Sequence, residues 1–443
     1  MTLEETNEEY NCFNTIEEKQ TKTEGKLKDY SISVKDCICV EGMETTGGSA
    51  ILKGYKPVFN ATAVQKVLDQ GAKIIGKTAQ DEFGFGSFAL NVGKGLKVPV
   101  NPNDKERVTG GSSGGSASIT KLADFKHISL AESTGGSIVC PAAYCGVVGL
   151  CPTYGRVSRY GLLDYANSLD KIGPMAKTVE ECALALEIIS GYDDKDSTSL
   201  DVPVDDYSKS LKKGVKGMKI GIIKESLGEG TQEEVKEEFN KTVEALRKAG
   251  ADVEEISLPM NFKYGVPTYY VIALSESSTN LSKYCGMRYG AEEKLEGNYN
   301  EYFTKVRSEN FGDEAKRRIM LGTFARMSGY RDAYYIKATK VRTLLIEEYK
   351  ELFKTYDVLI SPTMPNVAPK IEEANKLTPL ENYMMDVLTV GPNLAGLPHI
   401  SVPIGKKLPV GFMIIGDHLQ EGTVLQVASE VEQWLNMILI QIL

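Results

Sequence analysis

The sequence predicts an α/β fold whose sheet is at least partly parallel. Two observations carry that expectation. Short apolar runs of strand length alternate with segments of helical periodicity, and residues 218–259 spell out a complete strand–helix–strand unit. Taken in order, AKIIGKT (Ala72–Thr78) is a short buried strand, and HISLA, beginning at His127, is another. MKIGIIKES (Met218–Ser226) opens the strand–helix–strand unit. After a loop, a helix is expected to begin at Thr231, with Glu234 three residues on forming a capping box. Val235, Phe239, Val243 and Leu246 recur at helical spacing, and Gly250 closes the helix. DVEEISLP then returns as a strand parallel to the first. YDVLISPTMP (Tyr356–Pro365), GLPHISVPIG and VGFMIIG supply late strands, and WLNMILIQIL is expected to form a terminal helix packed on the body. The polar, turn-rich stretch at 190–216 reads as a surface excursion, so the chain 1–443 is expected to form one domain.

Composition narrows the function classes. A chain of 443 residues with 42% hydrophobic and 25% charged residues is long enough to bury a sizeable core. Its net charge of -9 argues against a duplex-binding surface of its own, because neutralising phosphates takes clustered lysine and arginine. Any nucleic acid is therefore expected to be handled by a partner. No apolar run reaches the ~18 residues that span a bilayer. The polar, acidic N-terminal segment lacks the apolar core of a secretion signal. A cytoplasmic protein with no membrane association is the expectation. The eight cysteines form no CxxC pair and there are only three histidines, so no metal site is expected. Cys145 and Cys182 sit in apolar contexts as core residues, and reduced thiols suit a cytosolic chain.

The chemistry is concentrated in two glycine–serine clusters, TGGSSGGSAS (109–118) and STGGSI (133–138). A flexible linker would be flanked by polar sequence, whereas these bracket the apolar HISLA run, which places two loops at one end of a sheet. Phosphate binding fits poorly: GGSSGGSA lacks the lysine of a Walker loop, and the spacing is wrong for a dinucleotide fingerprint. Acyl chemistry fits better. Successive N–H groups at Thr134, Gly135, Gly136 and Ser137 can converge on one point and stabilise an oxyanion formed by serine attack on a carbonyl. A serine nucleophile needs a base. His127 lies in the strand and reads as structural. A lysine kept neutral by burial can serve instead, and Lys35 in YSISVKDCICVEG is the candidate, although an isolated lysine more often sits at a surface.

These segments, with PAAYCGVVGLCPTYGRVSRYGLLDYANSLDKIGPMA, closely resemble the amidase signature family. SVKDCI, GKTAQDEFGFGS, PTYYVIALSESSTNLSKY, EAKRRIMLGTFA and LTVGPNLAGLP are similar to its tRNA-dependent amidotransferase branch, nearly end to end. The resemblance implies the amidase signature fold, a mixed twisted β-sheet covered by helices on both faces. It also implies a Ser-Ser-Lys triad: nucleophile Ser137, bridging Ser112 held by a cis peptide, and Lys35. Ser113 and Ser116 are left to turn hydrogen bonds. The implied substrate is glutamine, hydrolysed to glutamate and ammonia, with Arg318 for its α-carboxylate, Asp386 for its α-ammonium and Tyr269 as a further contact. By composition alone Arg318 and Asp386 would read as surface charges. The implied partners are a B subunit, which uses ATP and magnesium to amidate misacylated Glu-tRNA(Gln) or Asp-tRNA(Asn), and a small C subunit clasping the pair. No cofactor is implied for this chain. A free-standing hydrolase of small or fatty amides is the alternative. Ser133, Val139 and Cys151 depart from the Asp, Arg and Lys that many relatives carry, and Phe88–Val98 lacks the Thr-Glu-Thr pattern of the family.

Overall fold

A computed structural model describes residues 1–405 and 407–442, with the side chains of the last helix through Met437. Eleven strands among the described residues join in one sheet. In chain order they are β1 (Phe13–Lys19), β2 (Ser31–Lys35), β3 (Lys73–Thr78), β4 (His127–Ser133), β5 (Val148–Cys151) and β6 (Lys171–Ala176). They continue with β7 (Lys219–Ile223), β8 (Asp252–Ile256), β9 (Val358–Pro362), β10 (His399–Ile404) and β11 (Val410–Gly416). The order across the sheet is β1-β3-β2-β4-β6-β5-β10-β11-β9-β7-β8. Pairing is mixed: β2 runs parallel to β3 and β4, and β7 runs parallel to β8 and β9. The centre from β4 through β11 is antiparallel.

Central strands β4, β5, β6 and β11 are buried along their whole length. Burial on both faces is what near-continuous apolar runs such as VGFMIIG encode, and it requires cover from both sides of the sheet. The expected strand–helix–strand unit is present, with β7 and β8 parallel on either side of the helix Glu233–Lys248. That helix buries Val235, Phe239, Val243 and Leu246, and Phe239 stacks on Phe412 of β11 with ring centroids 5.0 Å apart. Truncating such a buried ring to alanine costs about 3–5 kcal/mol. The expected capping box is not formed. The helix starts at Glu233 because the Thr231 hydroxyl donates to Ser226 O at 2.9 Å instead of facing the helix amides.

The stretch 190–216 is anchored by Tyr207, whose buried hydroxyl accepts from Arg156 Nε at 3.0 Å. The C-terminal helix Glu421–Ile442 packs on the body through Val424, Leu425, Val427, Ala428 and Val431. The part of the expected apolar tail beyond Met437 lies outside the described side chains. Among the described residues no helix is long and apolar enough to cross a membrane. The eight cysteines are all free thiols, and all but Cys285 are buried.

Candidate active site

Parallel strands β2, β3 and β4 end side by side, at Lys35, Thr78 and Ser133. The ends of parallel strands are where α/β sheets build ligand sites, because the following loops all open on that edge. The first glycine–serine cluster leads into the helix Gly114–Leu122, and the second, directly after β4, leads into the helix Val139–Cys145. Both loops therefore face the same edge.

Lys35 is fully buried, which corrects the surface role its isolated context suggests. The reason is topological: β2 lies between β3 and β4, so its last side chain points into the molecule. Lys35 Nζ lies 2.7 Å from Ser112 Oγ, 3.0 Å from Glu132 O and 2.8 Å from Glu132 Oε2. The Gly111–Ser112 peptide is cis. Gly111 N donates to Ser87 O at 2.8 Å, and Asp81 N donates to Ser112 O at 3.2 Å. Ser113 Oγ donates to Glu132 O at 3.2 Å, and Ser116 Oγ sits 2.7 Å from Thr78 Oγ1. These two serines thus tie the turn and the helix to the strands.

Ser137 is 8% exposed, whereas Lys35 and Ser112 are sealed. It opens on a narrow cleft that also exposes Gly135, Gly136, Tyr269, Arg318 and Asp386. No hydrogen bond joins Ser137 Oγ to Ser112 Oγ among the described residues. The N–H groups of Gly135, Gly136 and Ser137 likewise donate to no protein acceptor among them, so they remain available to an anion in the cleft. Thr134 is placed beside them, and its hydroxyl is engaged by Glu132 and Asp170. Close packing explains the two glycines: a Cβ on Gly135 would lie 2.5 Å from Tyr269 Cζ, and one on Gly136 would strike the Thr389 hydroxyl.

Tyr269 and Tyr270 come from the helix Pro259–Asn280, and Arg318 from the helix Asp313–Arg326. Arg318 is buried and Asp386 half-buried at the cleft, neither the freely exposed charge its local sequence suggests. Arg318 Nε donates to Glu314 Oε1 at 2.8 Å and Nη1 donates to Tyr165 OH at 2.6 Å. The guanidinium carbon lies 5.0 Å from the Phe85 ring centroid and 5.4 Å from that of Tyr383. Asp386 accepts from Ser87 Oγ at 2.8 Å and from Tyr270 OH at 2.6 Å. Burial raises the Asp386 carboxyl above the usual range, and the Tyr270 and Ser87 hydrogen bonds oppose the rise. Asp81 is pushed up to about 6 by burial, against hydrogen bonds from Asn91 N and Ala89 N. Those two amides belong to the atypical 88–98 segment, which here wraps the Asp81 carboxylate at 2.8 and 3.0 Å.

Other departures also find places. Val139 is a buried residue at the start of its helix, and Cys151 is a buried thiol whose titration burial raises. Ser133 Oγ is buried with no partner among the described residues. His127 is structural as expected: its Nε2 lies 3.0 Å from Ser33 Oγ, and burial lowers it to about 3. Among the described residues no cluster of three or more metal-ligating side chains exists. Sequence reasoning missed Glu132, Asp170 and Ser87. Glu132 carried a signal, since a carboxylate inside a run as apolar as HISLAES must find a partner when buried.

Curated relatives reproduce the chain over nearly its whole length. The A subunit of glutamyl-tRNA(Gln) amidotransferase from Halothermothrix orenii is 49% identical over 417 residues, covering 94% of this chain and 86% of the relative. Its counterpart from Microcystis aeruginosa is 48% identical over 410 residues, covering 92% and 84%. The crystal structure of the Thermotoga maritima A subunit of the same enzyme superposes with a TM-score of 0.83 at 39% identity, covering 97% of this chain and 89% of that one. The 6-aminohexanoate cyclic dimer hydrolase, at 21% identity and a TM-score of 0.82, shares the fold. A family model described as Amidase matches residues 7–425, which include every residue of the cleft, and this chain belongs to the amidase family.

Proposed function

We propose that the chain is the glutamine-hydrolysing subunit of a tRNA-dependent amidotransferase. One observation carries the reading: Ser137, Arg318 and Asp386, drawn from distant parts of the sequence, line a single narrow cleft. That cleft offers a nucleophile, a cation and an anion to one small zwitterion. Arg318 Nη2 has no protein acceptor among the described residues, which suits it to an α-carboxylate, and Asp386 suits an α-ammonium. The side-chain amide of glutamine then reaches Ser137.

Ser137 Oγ attacks the amide carbon while its proton moves to Ser112 Oγ, and Ser112 passes its own proton to Lys35 Nζ. The oxyanion is received by the free N–H groups at Gly135, Gly136 and Ser137, and a loss of one such donor typically costs about 10²–10³ in rate. The proton returns along the same path to the departing nitrogen, releasing ammonia and leaving a glutamyl ester on Ser137. Water hydrolyses the ester. The relatives are named as subunits, which supports an assembly in which ammonia passes to a B subunit. That partner, clasped by a C subunit, uses ATP and magnesium to convert Glu-tRNA(Gln) or Asp-tRNA(Asn). The acidic balance of this chain, -9, accords with tRNA being held by the partner.

The test is reconstitution of the chain with its B and C partners, glutamine, ATP, magnesium and each misacylated tRNA. Glutamate release coupled to amidated tRNA is expected. Efficient hydrolysis of simple amides by the chain alone, with glutamine ignored, would overturn the reading in favour of a free-standing amidase.

A further inference from the structure

Glu132 stands where the triad lysine needs a partner, and no part of the proton path above uses it. Its carboxylate Oε2 lies 2.8 Å from Lys35 Nζ, with the two side chains 3% and 0% exposed. Its own carbonyl supplies a second contact to the same nitrogen at 3.0 Å, and Ser112 Oγ the third at 2.7 Å. These three oxygens serve both protonation states of the amine. A neutral amine has two hydrogens, which go to Glu132 O and Oε2, so its lone pair points at the Ser112 hydroxyl. An ammonium has three, and the same three oxygens accept them. Only Ser112 reverses its role between donor and acceptor.

The other oxygen of Glu132 is tied down as well. Thr134 Oγ1 lies 2.8 Å from Glu132 Oε1 and 2.8 Å from Asp170 Oδ1. A hydroxyl has one hydrogen, so it donates to one carboxyl at a time. Asp170 already accepts from Tyr165 N at 2.9 Å and from Ala166 N at 2.9 and 3.0 Å, so it does not depend on the Thr134 hydrogen, and burial foremost, then the Glu132 charge, raises its carboxyl above the usual range. Thr134 is then free to donate to Glu132 Oε1, while Oε2 faces Lys35 Nζ.

We infer that Glu132 is a positioning residue that aims the Lys35 lone pair at Ser112 and stabilises the ammonium formed there, extending the triad to Ser137–Ser112–Lys35–Glu132. The inference rests on the glutaminase reading above. Atoms balance as in that cycle: the Ser137 proton displaces that of Ser112 onto Lys35, the new ammonium faces the Glu132 carboxylate, and the proton leaves again with ammonia. The other titratable groups facing this pair are Cys37, whose Sγ lies 4.0 Å from Glu132 Oε2, Cys151, Asp170 and Asp81. The Lys77–Asp36 pair lies behind Cys37.

The test compares the pH profile of glutamine hydrolysis for the whole chain with that of Glu132→Gln, Glu132→Ser and Glu132→Asp. An adjacent anion raises the pH at which an amine becomes neutral, typically by about 1–3 units. Removing it should move the rising limb of kcat to lower pH by about that much. The plateau should fall by about tenfold or more, because the weakened base takes the Ser112 proton less readily, with KM little changed. Glu132→Asp should keep the limb near its original position. Superimposable profiles for the uncharged variants, or failure of both to fold, would overturn the inference, since the carboxylate would then act on the strand and not on the amine. If the wild-type chain hydrolyses a different amide, the glutaminase reading fails while the same comparison, run on that amide, still decides the role of Glu132.

Discussion

Replacing Asp386 with asparagine probes substrate recognition with almost no change in shape. The new side-chain amide would keep one oxygen to accept from Ser87 Oγ, but its nitrogen cannot accept from Tyr270 OH, now bound at 2.6 Å. Tyr270 OH would instead accept from that nitrogen and turn its own hydrogen away; leaving the hydrogen unpaired costs about 1–3 kcal/mol, and that part of the loss appears as a lower Tm with no substrate present. The functional part comes from the α-ammonium of glutamine, which loses its counter-ion in the cleft. Breaking one side of a buried pair costs about 3–5 kcal/mol, or about 10²–10⁴ in kcat/KM at tenfold per 1.4 kcal/mol. The cleft opens to solvent at Ser137, so the lower half of that range, about 10²–10³, is expected. The assay compares kcat/KM for glutamine with that for its analogue lacking the α-amine. Asp386→Asn should lose about 10²–10³ on glutamine and less than about tenfold on the analogue. Equal losses on both substrates would show that Asp386 shapes the cleft without reading the ammonium. Acid should mimic the substitution. Because burial raises this carboxyl, glutamine KM should climb as pH falls, beginning at a higher pH than an ordinary aspartate would impose.

Lys35→Ala and Ser137→Ala should each abolish detectable glutamine hydrolysis with the fold retained by circular dichroism, while Ser113→Ala, which loses only its bond to Glu132 O, should lose less than Ser112→Ala. Equal loss at Ser113 and little at Ser112 would reassign the bridging serine. Gly135→Ala should lower kcat by about 10²–10³, since the new methyl must displace Tyr269 from 2.5 Å to ordinary contact; unchanged turnover would argue against a close-packed oxyanion turn. Glu82, pushed up to about 7 by burial, bonds Ser49 Oγ and Gly312 N at the start of the Arg318 helix. Its folded form holds a proton that the unfolded chain releases above about pH 4.5, so its contribution to stability falls as pH rises from about 4.5 to 7. Glu82→Gln should therefore flatten the decline in Tm between pH 5 and 8, and an unaltered slope would place the titration elsewhere.

What was legible in the sequence follows the range of the interactions. The β7–helix–β8 unit was readable because Val235, Phe239, Val243 and Leu246 report a local period, whereas the helix start was missed because the Thr231 hydroxyl turns to Ser226. The glycine–serine clusters announced a tight turn near a reacting group, and the packing of Gly135 against Tyr269 is its physical basis. Arg318 and Asp386 carry no local mark of burial. They become a site because Arg318 on the Asp313–Arg326 helix and Asp386 on the Met385–Leu388 turn meet Ser137 at one cleft, and only the motif resemblance singled them out. The strand order was likewise beyond reach, since β10 inserts beside β5 from far along the chain. Glu132 was overlooked because the eye reads HISLAES as core. The lysine that gives the carboxylate its meaning lies 97 residues away.

The most direct measurement is rapid acid quench of the chain turning over glutamine, followed by mass spectrometry of its peptides. A glutamyl ester on Ser137, present in wild type and accumulating when deacylation is slowed, is the predicted result. An adduct on the neighbouring Cys140 thiol, or glutamine turnover with Ser137 never modified, would contradict nucleophilic attack by this serine.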